Sequence, residues 1–266
     1  MKRVVLVTGA SSGIGRAVAV LLARNEFIVY GASRSGKGAE AESLVNIVMD
    51  VTKTESVSSV LKLIEERHGV LHAVVNSAGL GMLGSIEDSS AIEIEMLFQT
   101  NLMGVHHVCI QSLDLLRKSG KGYIINITSM AAQMGLPYRG IYCASKFAVE
   151  GYSETLSQEV AADGIRVVLV EPGDVKTSIN NNRKEVMTIS ERHALRHADM
   201  RNQVNHEVDE GMAPEELAHV VFGILQNDKP KLRYRVARPQ ARLAYYLMRL
   251  LPDRWFERMI MKHYKI

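Results

Sequence analysis

Short runs of consecutive apolar residues alternate along the chain with longer amphipathic stretches. The runs read "RVVLVT", "FIVYGAS", "LVNIVMD", "HAVVNSA", "GYIINITS", "IRVVLVEP" and "LRYRVA". Apolarity on successive residues is what a strand covered on both faces requires, whereas strict alternation marks a sheet with one wet face. Between the runs, "RAVAVLLARN", "ESVSSVLKLIEERHG" and the stretch from Asp88 to Lys118 repeat their apolar positions at helical spacing. Strand–helix alternation of this kind predicts an α/β fold: one doubly wound, mainly parallel sheet of about seven strands with helices on both faces. There is no linker-like segment or repeat, so residues 1–266 are expected to form a single domain.

Two segments break the rhythm. Residues 178–211 are polar, without a clear apolar stripe, and are expected to form an excursion over the sheet edge. Their histidines are read as solvated rather than metal-bound, because no cysteine or carboxylate cluster accompanies them. The tail, 236–266, mixes aromatic and aliphatic residues with many arginines. Three readings are open for it: packing on the body or on a second subunit, which is favoured; a cover for the substrate pocket; or peripheral contact with a membrane surface as a basic amphipathic helix.

Composition narrows the class without deciding the function. The chain is 47% hydrophobic and 23% charged, which is ordinary for a globular protein. A net charge of +3 is too mild to imply a nucleic-acid partner. Cys109 and Cys143 lie far apart with no metal-ligand pattern, and read as packed thiols in a reducing, cytoplasmic setting. The N-terminal apolar run meets glycines at once, so it is a first strand and not a signal peptide.

That first strand leads through Thr8 into Gly9, Ala10, Ser11, Ser12, Gly13, Ile14 and Gly15. Gly9 permits a tight turn, Gly13 lets backbone approach a pyrophosphate, and Gly15 allows a helix to pack closely on the strand. Unpaired N–H groups at the helix start favour an anion. The second chemical signal is "IYCASK", where Tyr142 and Lys146 share one helix face. A cation beside a phenol lowers its pKa and fits it for proton transfer near neutrality.

Together with "NSAG" at Asn76–Gly79, Asn101, Ser129 and "PGDVKT", these motifs resemble the classical short-chain dehydrogenase/reductase family over most of the chain. The family's third motif usually reads Asn-Asn-Ala-Gly, and Ser77 departs from it. The resemblance implies a Rossmann-like domain and hydride transfer between a nicotinamide cofactor and a carbonyl or secondary alcohol. Tyr142 would be the proton donor in reduction and the base in oxidation, its phenolate stabilised by Lys146 and by the oxidised nicotinamide ring. Lys146 would hold the ribose, Ser129 would bond the substrate oxygen, and Asn101 would position a relay water through its backbone. Cofactor contacts are implied for Gly9, Ser11, Ser12, Gly13, Ile14 and Gly15; for Asp50 and Val51 near adenine; for Asn76, Ala78 and Gly79; and for Pro172, Gly173, Val175 and Thr177 on the nicotinamide side. Cysteine 143 and Ser145 are assigned to packing, and Tyr138 to the pocket or its rim. Met130, Met134 and Met187 are the methionines expected at an adaptable pocket wall.

Cofactor choice is argued from charge. After the second strand, "GASRS" supplies Arg34 and no carboxylate until Glu40. A guanidinium matches a 2′-phosphate, where an acidic residue would repel it. NADP(H) is therefore expected over NAD. The substrate is expected to be a hydrophobic carbonyl or alcohol, steroid- or retinoid-like, and the protein a homodimer or homotetramer. Two other readings are an NADP(H)-sensing regulator without turnover and, less favoured, a nucleotide-sugar epimerase or dehydratase.

Overall fold

A computed structural model of the protein describes residues 2–177 and 183–266. Seven strands form one parallel sheet: β1 (Arg3–Thr8), β2 (Phe27–Ser33), β3 (Leu44–Val48), β4 (Ala73–Asn76), β6 (Tyr123–Ile127), β7 (Arg166–Pro172) and β9 (Arg233–Val236). Their order is β3-β2-β1-β4-β6-β7-β9. Every neighbouring pair is parallel, with Val5, Leu6 and Val7 opposite Ala73, Val74 and Val75 at the centre. All seven correspond to the apolar runs of the sequence.

Helices cover both faces, as consecutive apolar residues demand. On one side, α2 (Thr54–His68), α4 (Gly104–Lys118) and α5 (Gly140–Glu159) bury Ile64, Val108, Leu116 and Val149 against Leu6, Val74 and Ile124. On the other, α1 (Gly13–Ala23) and α7 (Pro214–Leu225) bury Val18, Leu22, Leu217 and Val221 against Val5, Val7 and Ile125. Winding reverses between β1 and β4, and at such a switch point the carboxyl ends of the strands leave a crevice.

The expected helix from Asp88 to Lys118 is interrupted. Ser90 caps α3 (Ala91–Phe98) in a reciprocal capping box with Glu93. One π turn, Gln99–Met103, then joins it to α4, with Gly104 N–H donating to the Gln99 carbonyl. Wide turns of this kind re-aim a helix and recur at functional sites. Asn101 sits in the middle of it.

The polar segment is more ordered than its sequence suggests. Residues 178–182 lie outside the described residues. Beyond them β8 (Lys184–Glu185) pairs with β5 (Met82–Leu83), and α6 (Glu191–Asp209) buries His197, Met200, Val204 and Val208. The expectation of solvated histidines is corrected for two of the three: His197 is 1% exposed and His193 bonds the Tyr138 hydroxyl at 2.9 Å, whereas His206 is exposed. Among the described residues no group of three histidine, cysteine or acidic side chains is placed to hold a metal.

The tail folds as α8 (Pro239–Leu250) and α9 (Asp253–His263) and packs on the body through Tyr245, Phe256 and Tyr264. Among the described residues, no helix is long and apolar enough to cross a membrane.

Candidate active site

A cavity of about 880 Å³ opens at the carboxyl ends of β1, β4, β6 and β7. Its floor is built by the glycine turn. Gly9 has φ +69, and a Cβ there would lie 2.8 Å from the Ala78 nitrogen. A Cβ on Gly15 would lie 2.5 Å from the Gly9 carbonyl, so only glycine lets α1 sit this close to β1. The Thr8 hydroxyl accepts from Ser77 N–H (3.1 Å) and Ala78 N–H (3.0 Å), fixing the end of β4 beside the turn. Ser11, Ser12, Gly13 and Ile14 line the cavity at the amino end of α1, whose first turn holds no acidic side chain. Such an end attracts an anion. The cradle therefore fits a dinucleotide pyrophosphate.

Further along the wall stand Arg34, Asp50, Val51, Ala78 and Gly79, and past the sheet Pro172, Gly173, Val175 and Thr177. Arg34 is exposed, and its guanidinium makes no hydrogen bond or ion pair with the described residues. The Asp50 carboxylate accepts from Thr52 N–H (3.0 Å) and Thr52 Oγ1 (2.8 Å), which locks its own turn.

The candidate proton-transfer residues come together in the same cavity. Ser129, at the end of β6, lines it together with Tyr142 and Lys146 from α5. Lys146 is buried, its Nζ donating to the Ile127 carbonyl (3.2 Å) and lying 6.0 Å from the Tyr142 ring centroid. Burial pulls its pKa down to about 8, against a smaller opposing pull from Glu150. Burial pushes the Tyr142 phenol up, and a hydrogen bond with Ser129 and the Arg139 charge partly offset this.

Lys146 shares the cavity with Tyr142, its ammonium 6.0 Å from the ring centroid. A second cation, Arg139, which sequence reasoning had not singled out, also favours the charged form of the phenol. Arg139 lines the cavity at the start of α5. Its guanidinium donates to the Tyr264 hydroxyl and lies 3.7 Å from Glu207 on α6. The groups around the phenol thus include Ser129, Arg139, Asp174 and the neutral thiol of Cys143, with the Lys146 ammonium 6.0 Å from the ring centroid. Arg139 is the residue just before α5, three positions ahead of Tyr142. Its neighbour Tyr138 adopts φ 58, a left-handed backbone held by its carbonyl accepting from Gly84 N–H (2.8 Å).

Three expected site residues do not line the cavity: Gly15, Asn76 and Asn101. Asn76 points into the core, donating to Asn126 Oδ1 (2.8 Å) and Cys109 Sγ (3.3 Å). The Asn101 amide accepts from Leu80 N–H (2.8 Å) and donates to the Leu80 carbonyl (3.0 Å) and Ser145 Oγ (3.0 Å). It bolts the π turn to the cavity wall and to α5, so Ser145 does more than pack. Tyr138 stays outside the cavity, bonded to His193. Met130, Met134 and Met187 are also absent from its wall, Met187 being 89% exposed; Met49, Met82 and Met96 stand there instead.

Comparison with known proteins agrees with this geometry. The short chain dehydrogenase family model matches residues 3–188. The 3-ketodihydrosphingosine reductase of Bacteroides thetaiotaomicron is 38% identical over 237 residues, covering 88% of this chain and 87% of the relative. A short-chain dehydrogenase from Streptomyces avermitilis superposes with a TM-score of 0.80 at 28% identity, covering 99% of this chain and 96% of that one. An alcohol dehydrogenase from Thermococcus sibiricus, solved with 5-hydroxy-NADP, gives 0.70 at 26% identity over 89% and 95%. Solved relatives bind nicotinamide dinucleotides of either kind, NAD or its phosphorylated form. The chain belongs to the short chain dehydrogenase family of oxidoreductases.

Proposed function

We propose that the protein is an NADP(H)-dependent reductase of ketones, or the corresponding alcohol dehydrogenase, acting on an apolar substrate. The observation that carries this reading is one cavity in which Ser129, Tyr142 and Lys146 meet the glycine cradle. A bound nicotinamide supplies the hydride in reduction and accepts it in oxidation.

The chain's own groups do the rest. Ser129 donates a hydrogen bond to the substrate oxygen as negative charge develops there. Tyr142 gives its phenolic proton to that oxygen in reduction and takes it back in oxidation. Lys146, buried on the same side, is placed to hold cofactor ribose and to stabilise a phenolate. Arg34 supports the phosphorylated cofactor, since it follows the second strand where an acidic residue would repel a 2′-phosphate, and no carboxylate comes after it in sequence before Glu40. Leu80, Met82, Met96, Val204 and Val208 give the substrate end an apolar wall. The likeness to a reductase of 3-ketodihydrosphingosine agrees with a ketone as substrate.

The test supplies NADPH and NADH in turn with ketones graded in size and polarity, and follows cofactor oxidation. Faster turnover with NADPH and with the more apolar ketones is expected. Tight NADPH binding with no reduction of any carbonyl would overturn the reading and favour a sensor.

A further inference from the structure

The last two helices carry chemistry that the cavity does not use. From residue 238 to 266 the chain holds seven lysine and arginine side chains against Asp253 and Glu257. The whole chain is only +3, so the tail holds the entire excess of positive charge and the remainder is slightly acidic.

Buried anchors fix which face points outward. Tyr245 is sandwiched between Arg235 (4.0 Å to the ring centroid) and Arg249 (4.6 Å), Phe256 is buried, and Tyr264 is tied to Arg139. The outward stripe of α8 is Leu243, Tyr246 and Leu250, at helical spacings of three and four. Leu250 is 80% exposed and Trp255 65% exposed, on either side of the Leu251–Pro252 corner between the helices. Arg249, Arg254 and Arg258 flank that corner and are themselves exposed.

A protruding leucine and tryptophan ringed by arginines suits few partners. A second copy of this chain docking through the same face would bring two positive surfaces together, which costs association. An anionic lipid surface satisfies both halves of the chemistry. Leucine and tryptophan seat at the headgroup–acyl boundary, and arginine and lysine stems reach out to the phosphates. We propose that the α8–α9 corner is a peripheral anchor that docks this protein on an anionic lipid surface.

Tyr264 belongs to the same tail and bonds Arg139 on the cavity wall, so docking would hold the substrate end of the cavity close to that surface. An apolar ketone would then reach the site from the lipid. This consequence rests on the proposed function; the docking itself does not.

Co-sedimentation of the full-length protein with vesicles of phosphatidylcholine alone, or with added phosphatidylglycerol, tests the proposal. Binding is expected only to the anionic vesicles, and it should weaken as salt rises. The double variants Leu250→Ser/Trp255→Ser and Arg258→Glu/Lys262→Glu should each bind at least about tenfold more weakly, since one basic side chain contributes about fivefold at such a surface. Both should melt at the wild-type temperature. Absence of binding to anionic vesicles, equal binding to both vesicle types, or undiminished binding by the variants would overturn the proposal. So would loss of self-association in Leu250→Ser/Trp255→Ser with vesicles ignored, which would make the face a contact between copies. The assay reads no turnover, so failure of the reductase reading would leave its outcome intact.

Discussion

The Arg139 guanidinium donates to the hydroxyl of Tyr264, tying the tail to the loop that starts the helix carrying Tyr142. The same guanidinium lies 3.7 Å from Glu207, so the tail, α6 and the active-site loop meet at one cation. Around it, Tyr264 packs with Leu83, Met200 and Val204.

Arg139 should therefore set the pH range of the reaction. In reduction Tyr142 must carry its proton, so the rate falls as pH rises through the phenol's pKa. Burial pushes that pKa up, and Arg139 partly offsets the push. Replacing Arg139 by methionine should move the alkaline limb to higher pH. In oxidation the acid limb should move the same way, slowing the reaction at neutral pH. Tyr264→Phe should give a smaller shift in the same direction and cost about 1 kcal/mol of stability, the worth of one hydrogen bond. Rate profiles in both directions check this; unmoved limbs would leave Arg139 a purely structural residue.

Lys146 predicts a trade between stability and activity. Its pKa is about 8 in the fold against 10.5 free, so the folded state binds fewer protons between those values. Below about pH 8 the buried charge opposes folding, and that cost fades as pH rises towards 10.5. Lys146→Met should make the cofactor-free protein more stable at pH 7, by as much as about 3 kcal/mol, while removing activity. The gain should shrink by pH 10. Denaturant unfolding at the two pH values measures it.

Arg34→Asp should turn preference from NADPH towards NADH, because a carboxylate accepts the ribose hydroxyls and repels a 2′-phosphate. The ratio of kcat/KM for the two cofactors is the readout. An unchanged ratio would mean that Arg34 does not touch the cofactor.

The sheet was legible in the sequence because burial on both faces forces apolar residues into consecutive positions, and "RVVLVT" or "IRVVLVEP" has no other soluble use. The cradle was legible because Gly9 and Gly15 meet backbone at distances no Cβ tolerates. What stayed hidden is where polar residues do structural work. Helix α6 buries His197 beside Met200, so its inward face never reads as an apolar stripe. The π turn at Asn101 leaves no mark on helical spacing, and nothing in the sequence shows that the side-chain amides of Asn76 and Asn101 bond inside the fold, to Asn126 and to Ser145. Arg139 looked like a loop arginine because its partners, Glu207 and Tyr264, lie 68 and 125 residues away.

The most direct test of the account is Tyr142→Phe, measured for NADPH binding and for reduction of the best ketone. The ring and its packing stay, and only the proton is lost. Binding within about twofold of wild type, with turnover reduced by about 10²- to 10⁴-fold, is the predicted result. Turnover at the wild-type rate would contradict it, since the proton would then come from another group.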